Sequence, residues 1–169
     1  MKEDLIKNAK TAIQNNDLEY LKVIIEENKE ILDVISPFGT ILQIAAREGN
    51  IDIVKHLIDC KCNINLGGGL FKKSPLSDAA FKGHLDIVEL LVKNGARLDV
   101  SSFENNPLFA AIYNRHIDIA KYLIDQGIDT KTGYPLGDIE YCDASEYARQ
   151  YGVTEIVDSL MKKNSEEQV

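Results

Sequence analysis

Cys60 and Cys62 form a C-x-C step shortly after His56, and this is where metal or redox chemistry would first be sought. A tetrahedral metal site needs further ligands at set spacings, and no two of His56, His84 and His116 stand at such a spacing with the cysteine pair. Three cysteines cannot all pair, and Cys60 and Cys62 are too close in sequence for an ordinary structural disulfide. The glycines of "LGGG", 66–69, are not followed by the Lys-Ser/Thr and helix that a phosphate-cradling loop requires. Acid pairs such as Asp52 with Asp59 read as solvated helix faces, and Lys82, Tyr113 and Glu104 alone do not make a catalytic constellation. The residues therefore point to no enzyme, no cofactor and no metal. What remains is a set of aromatics, Phe38, Phe71, Phe81, Phe103, Phe109, Tyr113, Tyr141 and Tyr151, whose chemistry is non-covalent contact.

The elements that position these rings repeat. "TILQIAAREGNIDIVKHLIDCKCNIN" from Thr40, "SPLSDAAFKGHLDIVELLVKNGARLD" from Ser74 and "NPLFAAIYNRHIDIAKYLIDQGIDT" from Asn106 align at a period of about 33 residues, with weaker copies from Ala12 and Asp143. Each copy predicts two short helices. A Thr, Ser or Asn caps the first, proline takes its first position at Pro75 and Pro107, and Gly49 and Gly83 end it where positive φ is cheap. Small residues at Ala45/Ala46, Ala79/Ala80 and Ala111 allow close helix approach. The second helices, as in "NIDIVKHLI", put apolar residues at i, i+1, i+4 and i+5. One copy cannot bury both faces, so the copies must stack into a solenoid.

The stretch "SPLSDAAFKGH" resembles the T-P-L-H-x-A-A-x-x-G-H signature of the ankyrin repeat, and the resemblance covers about residues 4–161. It implies an all-α repeat solenoid of about five stacked helix-turn-helix repeats with β-hairpin fingers, spanning approximately 4–34, 35–65, 66–99, 100–131 and 132–161. These form one domain, 1–163, followed by a polar tail, 164–169. It also implies a concave side of fingers and first helices that binds proteins rather than catalysing. His84 and His116 occupy the G-H step and read as turn residues, Cys62 replaces the small residue of the G-A step, and Phe109 stands in place of the T-P-L-H histidine, which predicts a packing role.

Within that register Phe38, Phe71, Phe103 and Tyr141 lie near finger tips, with little core in reach, and Lys72 and Glu104 stand beside two of them. The two residues before the glycine step, Arg47/Glu48, Phe81/Lys82, Tyr113/Asn114 and Gln150/Tyr151, face the groove. The expected contact set is Phe38, Arg47, Glu48, Phe71, Lys72, Phe81, Lys82, Phe103, Glu104, Tyr113, Asn114, Tyr141 and Tyr151. Its expected signature is that Phe103→Ala with Tyr113→Ala abolishes partner capture and leaves stability nearly unchanged. The other reading is that neighbouring rings stack on each other to stiffen the array. The long last finger from Thr130 reads equally as a binding element or as a cover for the last repeat's apolar edge. Asp4, Lys7 and Lys10 put charge on a first helix that has no neighbour before it.

The net charge of −8 is concentrated in 1–35 and 134–169, with no basic stripe, which argues against nucleic acid and membrane surfaces. It suits a basic protein partner such as a toxin or enzyme. Small proteins of this type, with a diverged last copy, look like bacterial ankyrin proteins, among them immunity partners that inhibit a toxin and secreted effectors that bind host proteins. The opening "MKEDLIKNAK" carries acids and starts no apolar run of signal-peptide or membrane-span length, so a cytoplasmic chain, monomeric when free, is expected. A homo-oligomer formed through the aromatic row is the structural rival.

Overall fold

In the computed structural model, which describes residues 2–69 and 72–166, the chain is a stack of helix pairs. The pairs are α1 (Lys2–Gln14) with α2 (Leu18–Glu27), α3 (Ile41–Glu48) with α4 (Ile51–Asp59), α5 (Pro75–Lys82) with α6 (Leu85–Lys93), and α7 (Pro107–Tyr113) with α8 (Ile117–Asp125). A hairpin of β1 (Tyr134–Leu136) and β2 (Ile139–Cys142) then leads to α9 (Ala144–Gln150) and α10 (Thr154–Glu166). No described helix is long and apolar enough to cross a membrane.

Local chemistry sets the helix starts. The side chains of Thr40, Ser74, Asn106 and Asp143 each accept a hydrogen bond from a backbone N–H in the first turn of the helix that follows. The odd-numbered helices pack in direct succession, because Ala45, Ala46, Ala79, Ala80 and Ala111 are fully buried and leave no bulk between neighbouring backbones. The even-numbered helices meet through larger side chains, Ile53, Ile87 and Ile119, and pack less closely. A tight inner row and a looser outer row curve the stack, with α3, α5, α7 and α9 on the inside.

The turn after each inner helix is left-handed in every copy, at Asn16, Gly49, Gly83, Arg115 and Gly152. Gly49 and Gly83 are needed for space as well, since a Cβ at either would sit 2.6 Å from Cε1 of the next copy's histidine, His84 or His116. Those imidazoles tie the copies together. Nε2 of His84 donates to the Arg47 carbonyl at 3.2 Å and Nε2 of His116 to the Phe81 carbonyl at 3.2 Å, which fixes Nε2 as the protonated nitrogen because a carbonyl only accepts. Gly83→Ala is expected to cost about 2 kcal/mol, from a left-handed alanine and a displaced His116, as read by the urea unfolding midpoint. Arg115, like Asn16 a non-glycine residue at this step, donates from Nη2 to the Tyr151 carbonyl at 2.7 Å, which offsets part of its backbone cost.

The fingers are smaller than expected. Only 134–142 forms a two-stranded hairpin among the described residues; the first two fingers close with single bridges, Ser36 to Gly39 and Gly68 to Lys73. The third is held by side chains. Asp99 accepts from the Ser101 N–H and from Nδ2 of Asn105, and Asn105 Oδ1 accepts from the Ser74 N–H of the preceding copy.

Candidate functional site

The inner face divides into a polar half and an aromatic half. In the polar half Gln43 takes the position of the signature histidine and is almost fully buried. Its Oε1 accepts from the Thr40 N–H at 3.0 Å, while Nε2 donates to the Lys73 carbonyl at 2.6 Å and to Asp78 Oδ2 at 3.2 Å. One amide thus joins its own helix start to the next finger and the next inner helix. Arg47 donates from Nη2 to the Phe38 carbonyl at 2.9 Å and brings Nη1 within 4.0 Å of Asp78 Oδ2. Lys10 Nζ lies 3.7 Å from the centroid of the Phe38 ring. Lys10 is therefore a groove residue as well as part of the first helix, where sequence reading treats it only as a charge on an uncovered end.

Asp78 is 6% exposed. Burial raises its carboxyl pKa above the ordinary 3.8, and Arg47, Gln43, Lys73 and Lys82 only partly oppose the rise. The folded protein then binds this proton more tightly than the unfolded chain does. The contribution is fully present below 3.8 and is lost as pH rises through the folded value. Urea midpoints across an acid pH series should show Asp78→Asn gaining on the parent over that interval and running parallel to it on either side.

The aromatic half continues from the same finger. Phe81 and Tyr113 stack at 6.2 Å and 15°, Tyr113 meets Tyr151 at 5.2 Å, and Tyr151 meets Tyr147 at 4.6 Å. Lys73 Nζ lies 4.4 Å from the Phe81 centroid. Tyr113 is half exposed, whereas Phe81 and Tyr151 on either side of it in the row are half-buried. With Phe103, Glu104, Ala110 and Leu136 these residues line an open depression of about 530 Å³.

Phe103 corrects an expectation. It does not project from a finger tip but folds back edge-on against Phe109 at 5.7 Å, Tyr147 at 5.6 Å and Tyr134 at 5.9 Å. Phe109 is buried and stacks on Tyr147 at 4.4 Å and 12°. Tyr134, from the long last finger, closes the cluster: its hydroxyl donates to the Val100 carbonyl at 2.6 Å and its ring lies 5.2 Å from Phe109. The last finger thus covers an apolar edge on its Tyr134 side, and an aromatic cluster replaces the polar Gln43 lock in this half. With these contacts Phe103→Ala is expected to cost stability, so the Phe103/Tyr113 pair does not separate binding from folding; Phe81 with Tyr113 is the better pair.

The remaining expected contacts scatter. Tyr141 is exposed, but its ring covers Gly133, its hydroxyl donates to the Lys131 carbonyl, and it does not line the depression. Glu48 lines the polar depression; Lys82 and Lys72 are exposed and do not line it, though Lys82 is close enough to act on Asp78. Asn114 is engaged in ending α7, with Nδ2 donating to the Ala110 carbonyl at 3.2 Å. Glu104 lines the aromatic depression and Lys82 does not, so the candidate catalytic trio with Tyr113 does not converge. Phe71 lies outside the described residues. Among the described residues no group of three or more His, Cys, Asp or Glu is placed to hold a metal ion. Cys62 is buried and its thiol is pushed up to about 12, mainly by that burial, which makes it a poor nucleophile.

Lys73, Asp78, Tyr134 and Tyr147 are absent from the sequence-derived set. Tyr147 stands in register with Ile44, Asp78 and Ala110, so alignment of the copies flags it as an inward residue. Tyr134 has no counterpart in the other copies and carries no such signal.

A curved stack of helix pairs whose inner row exposes an aromatic and polar groove is a repeat protein built for contact along one face. The sequence comparison agrees: the family model described as ankyrin repeats (3 copies) matches residues 10–102 and 42–134, and the chain belongs to the ankyrin-repeat family. It is similar to dauer abnormal formation protein 25 of Caenorhabditis elegans, 36% identical over 90 residues, which is 52% of this chain and 22% of that protein. It is also similar to protein fem-1 homolog CG6966 of Drosophila melanogaster, 35% identical over 102 residues, 52% of this chain and 15% of that protein. The chain spans less than a quarter of the length of either relative, and both are animal proteins, where the sequence reading looked to bacteria.

Proposed function

We propose that this chain is a non-catalytic protein-binding module whose contact surface is the inner groove, with Phe81, Tyr113 and Tyr151 as apolar anchors. The carrying observation is the continuous ring row, with Tyr113 half exposed over an apolar depression on the face that the curvature makes concave. Covering such a surface stabilises a complex by about 25 cal/mol per Å² of apolar area removed from water. The outer helices α4, α6 and α8 instead expose acids, Asp52, Asp59, Asp86, Glu89, Asp118 and Asp125.

That distribution weighs against a basic toxin or enzyme as partner. Exposed acids stand on the outer helices α4, α6 and α8, while Lys10, Arg47, Lys73 and Lys82 outnumber Glu48 and Asp78 in and beside the polar half of the groove. An inhibitor role therefore requires a target that presents an acidic rather than a basic surface.

The test is capture and cross-linking with Phe81→Ser/Tyr113→Ser, using Asp125→Lys on the outer face as control. We expect the double variant to lose the captured partner and retain an unfolding midpoint close to the parent's, with cross-links of the parent mapping to the inner helices. Capture that survives the double variant, or cross-links confined to α4, α6 and α8, would overturn the reading.

A further inference from the structure

The two halves of the groove are joined at one residue: Lys73 borders both the polar depression and the aromatic one. On the polar side Arg47, Lys73 and Lys82 all act on the single buried carboxylate of Asp78, which also accepts from Gln43. Glu48 also lines this depression, so two carboxylates stand against these three cations. Lys10 adds a fourth, over Phe38. Two of these ammonium groups rest over ring faces, Lys10 on Phe38 at 3.7 Å and Lys73 on Phe81 at 4.4 Å, and Arg47 is tethered to the Phe38 carbonyl. Held in this way they lose little freedom when a partner arrives. Around them lies an open depression of about 290 Å³, beside the apolar row and on a molecule whose outer face repels negative charge.

Building on the groove reading above, we propose that this groove selects an acidic protein segment: one or two carboxylates of the partner lie among Lys10, Arg47, Lys73 and Lys82, and an apolar side chain of the same segment enters the Phe81–Tyr113–Tyr151 row. The two subsites meet at α5, which carries Phe81 and Lys82 in adjacent positions, and Lys73 Nζ lies 4.4 Å from the Phe81 centroid. Partners with basic segments are excluded by the same cations that hold the acid.

The experiment pans a displayed library of random peptides on the intact protein, on Arg47→Glu/Lys73→Glu and on Phe81→Ser/Tyr113→Ser, with folding of each checked by circular dichroism. The parent is expected to enrich peptides that combine Asp or Glu with Leu, Ile, Phe or Met. Resynthesised with a fluorescent label, these should bind the charge-reversed protein about tenfold or more weakly, and binding to the parent should weaken as salt rises. Lys10→Gln/Lys82→Gln gives a second reading of the same dependence should charge reversal prevent folding. Enrichment of basic or uncharged peptides, or acidic peptides that ignore both charge changes while losing affinity for the ring variant, overturns the acidic selection and leaves the groove reading standing. Peptides that bind the ring variant undiminished, or no enrichment above that variant's background, overturn both.

Discussion

Phe109→Ala is expected to lower the unfolding free energy by about 3–5 kcal/mol, the largest loss from any single substitution considered for this chain. The ring is 2% exposed and touches three others, stacking on Tyr147 and receiving the edges of Phe103 and Tyr134. Its removal opens a cavity that four separate segments would have to collapse to fill: the third finger, α7, the last hairpin and α9. Tyr147, the ring stacked on it, is itself 1% exposed, and burial holds its hydroxyl far above the ordinary tyrosine range. Urea unfolding of Phe109→Ala beside Tyr113→Ala gives the comparison. Tyr113 is half exposed, and its truncation should shift the midpoint far less. Equal losses would show that the outer row belongs to the same core, and the division between packing rings and contact rings would be wrong.

Gln43→Ala is expected to cost about 2–3 kcal/mol, although it deletes only one polar side chain. The loss follows from what the amide leaves behind: an unpaired Thr40 N–H, a Lys73 carbonyl that keeps only the Gly68 N–H of its two donors, and a buried Asp78 carboxylate without its amide donor. Gln43→Glu has nearly the same shape but presents an acceptor to two acceptors and a second carboxylate to Asp78. It should be destabilised more than Gln43→Ala at neutral pH and should recover as the pH is lowered, because the folded state raises the affinity of that pair for a proton. Thermal unfolding at two pH values distinguishes the amide's role as a donor from mere packing. No recovery in acid would refute the proposed lock.

Periodicity made the architecture readable before any coordinates. Repeated caps at Thr40, Ser74 and Asn106, the left-handed step at Gly49 and Gly83, and small residues on the inner helices are local requirements, and each acts within a few residues of itself. The candidate contacts were legible only where the register sets exposure, as at Tyr113, which the structure finds half exposed. Among the finger residues Phe38 and Tyr141 are exposed as their position predicts, but Phe103 is partly buried against the core. Phe103 was read as projecting because a finger leads away from the stack, yet the ring turns back onto Phe109 and Tyr147, a contact between copies that no single copy encodes.

The sequence by itself determined the repeat, the helix pairs, their stacking order and which family the chain belongs to, because each follows from short-range caps, turns and a period that adjacent copies share. Only the tertiary structure decided how the inner face is partitioned. Whether Lys10 covers an end or rests on Phe38, whether the last finger projects or seals a cluster with Tyr134, and where the net negative charge stands relative to the groove all depend on side chains a full repeat or more apart. Those meetings are set by curvature and by the volumes of neighbouring copies, and a one-dimensional pattern specifies neither.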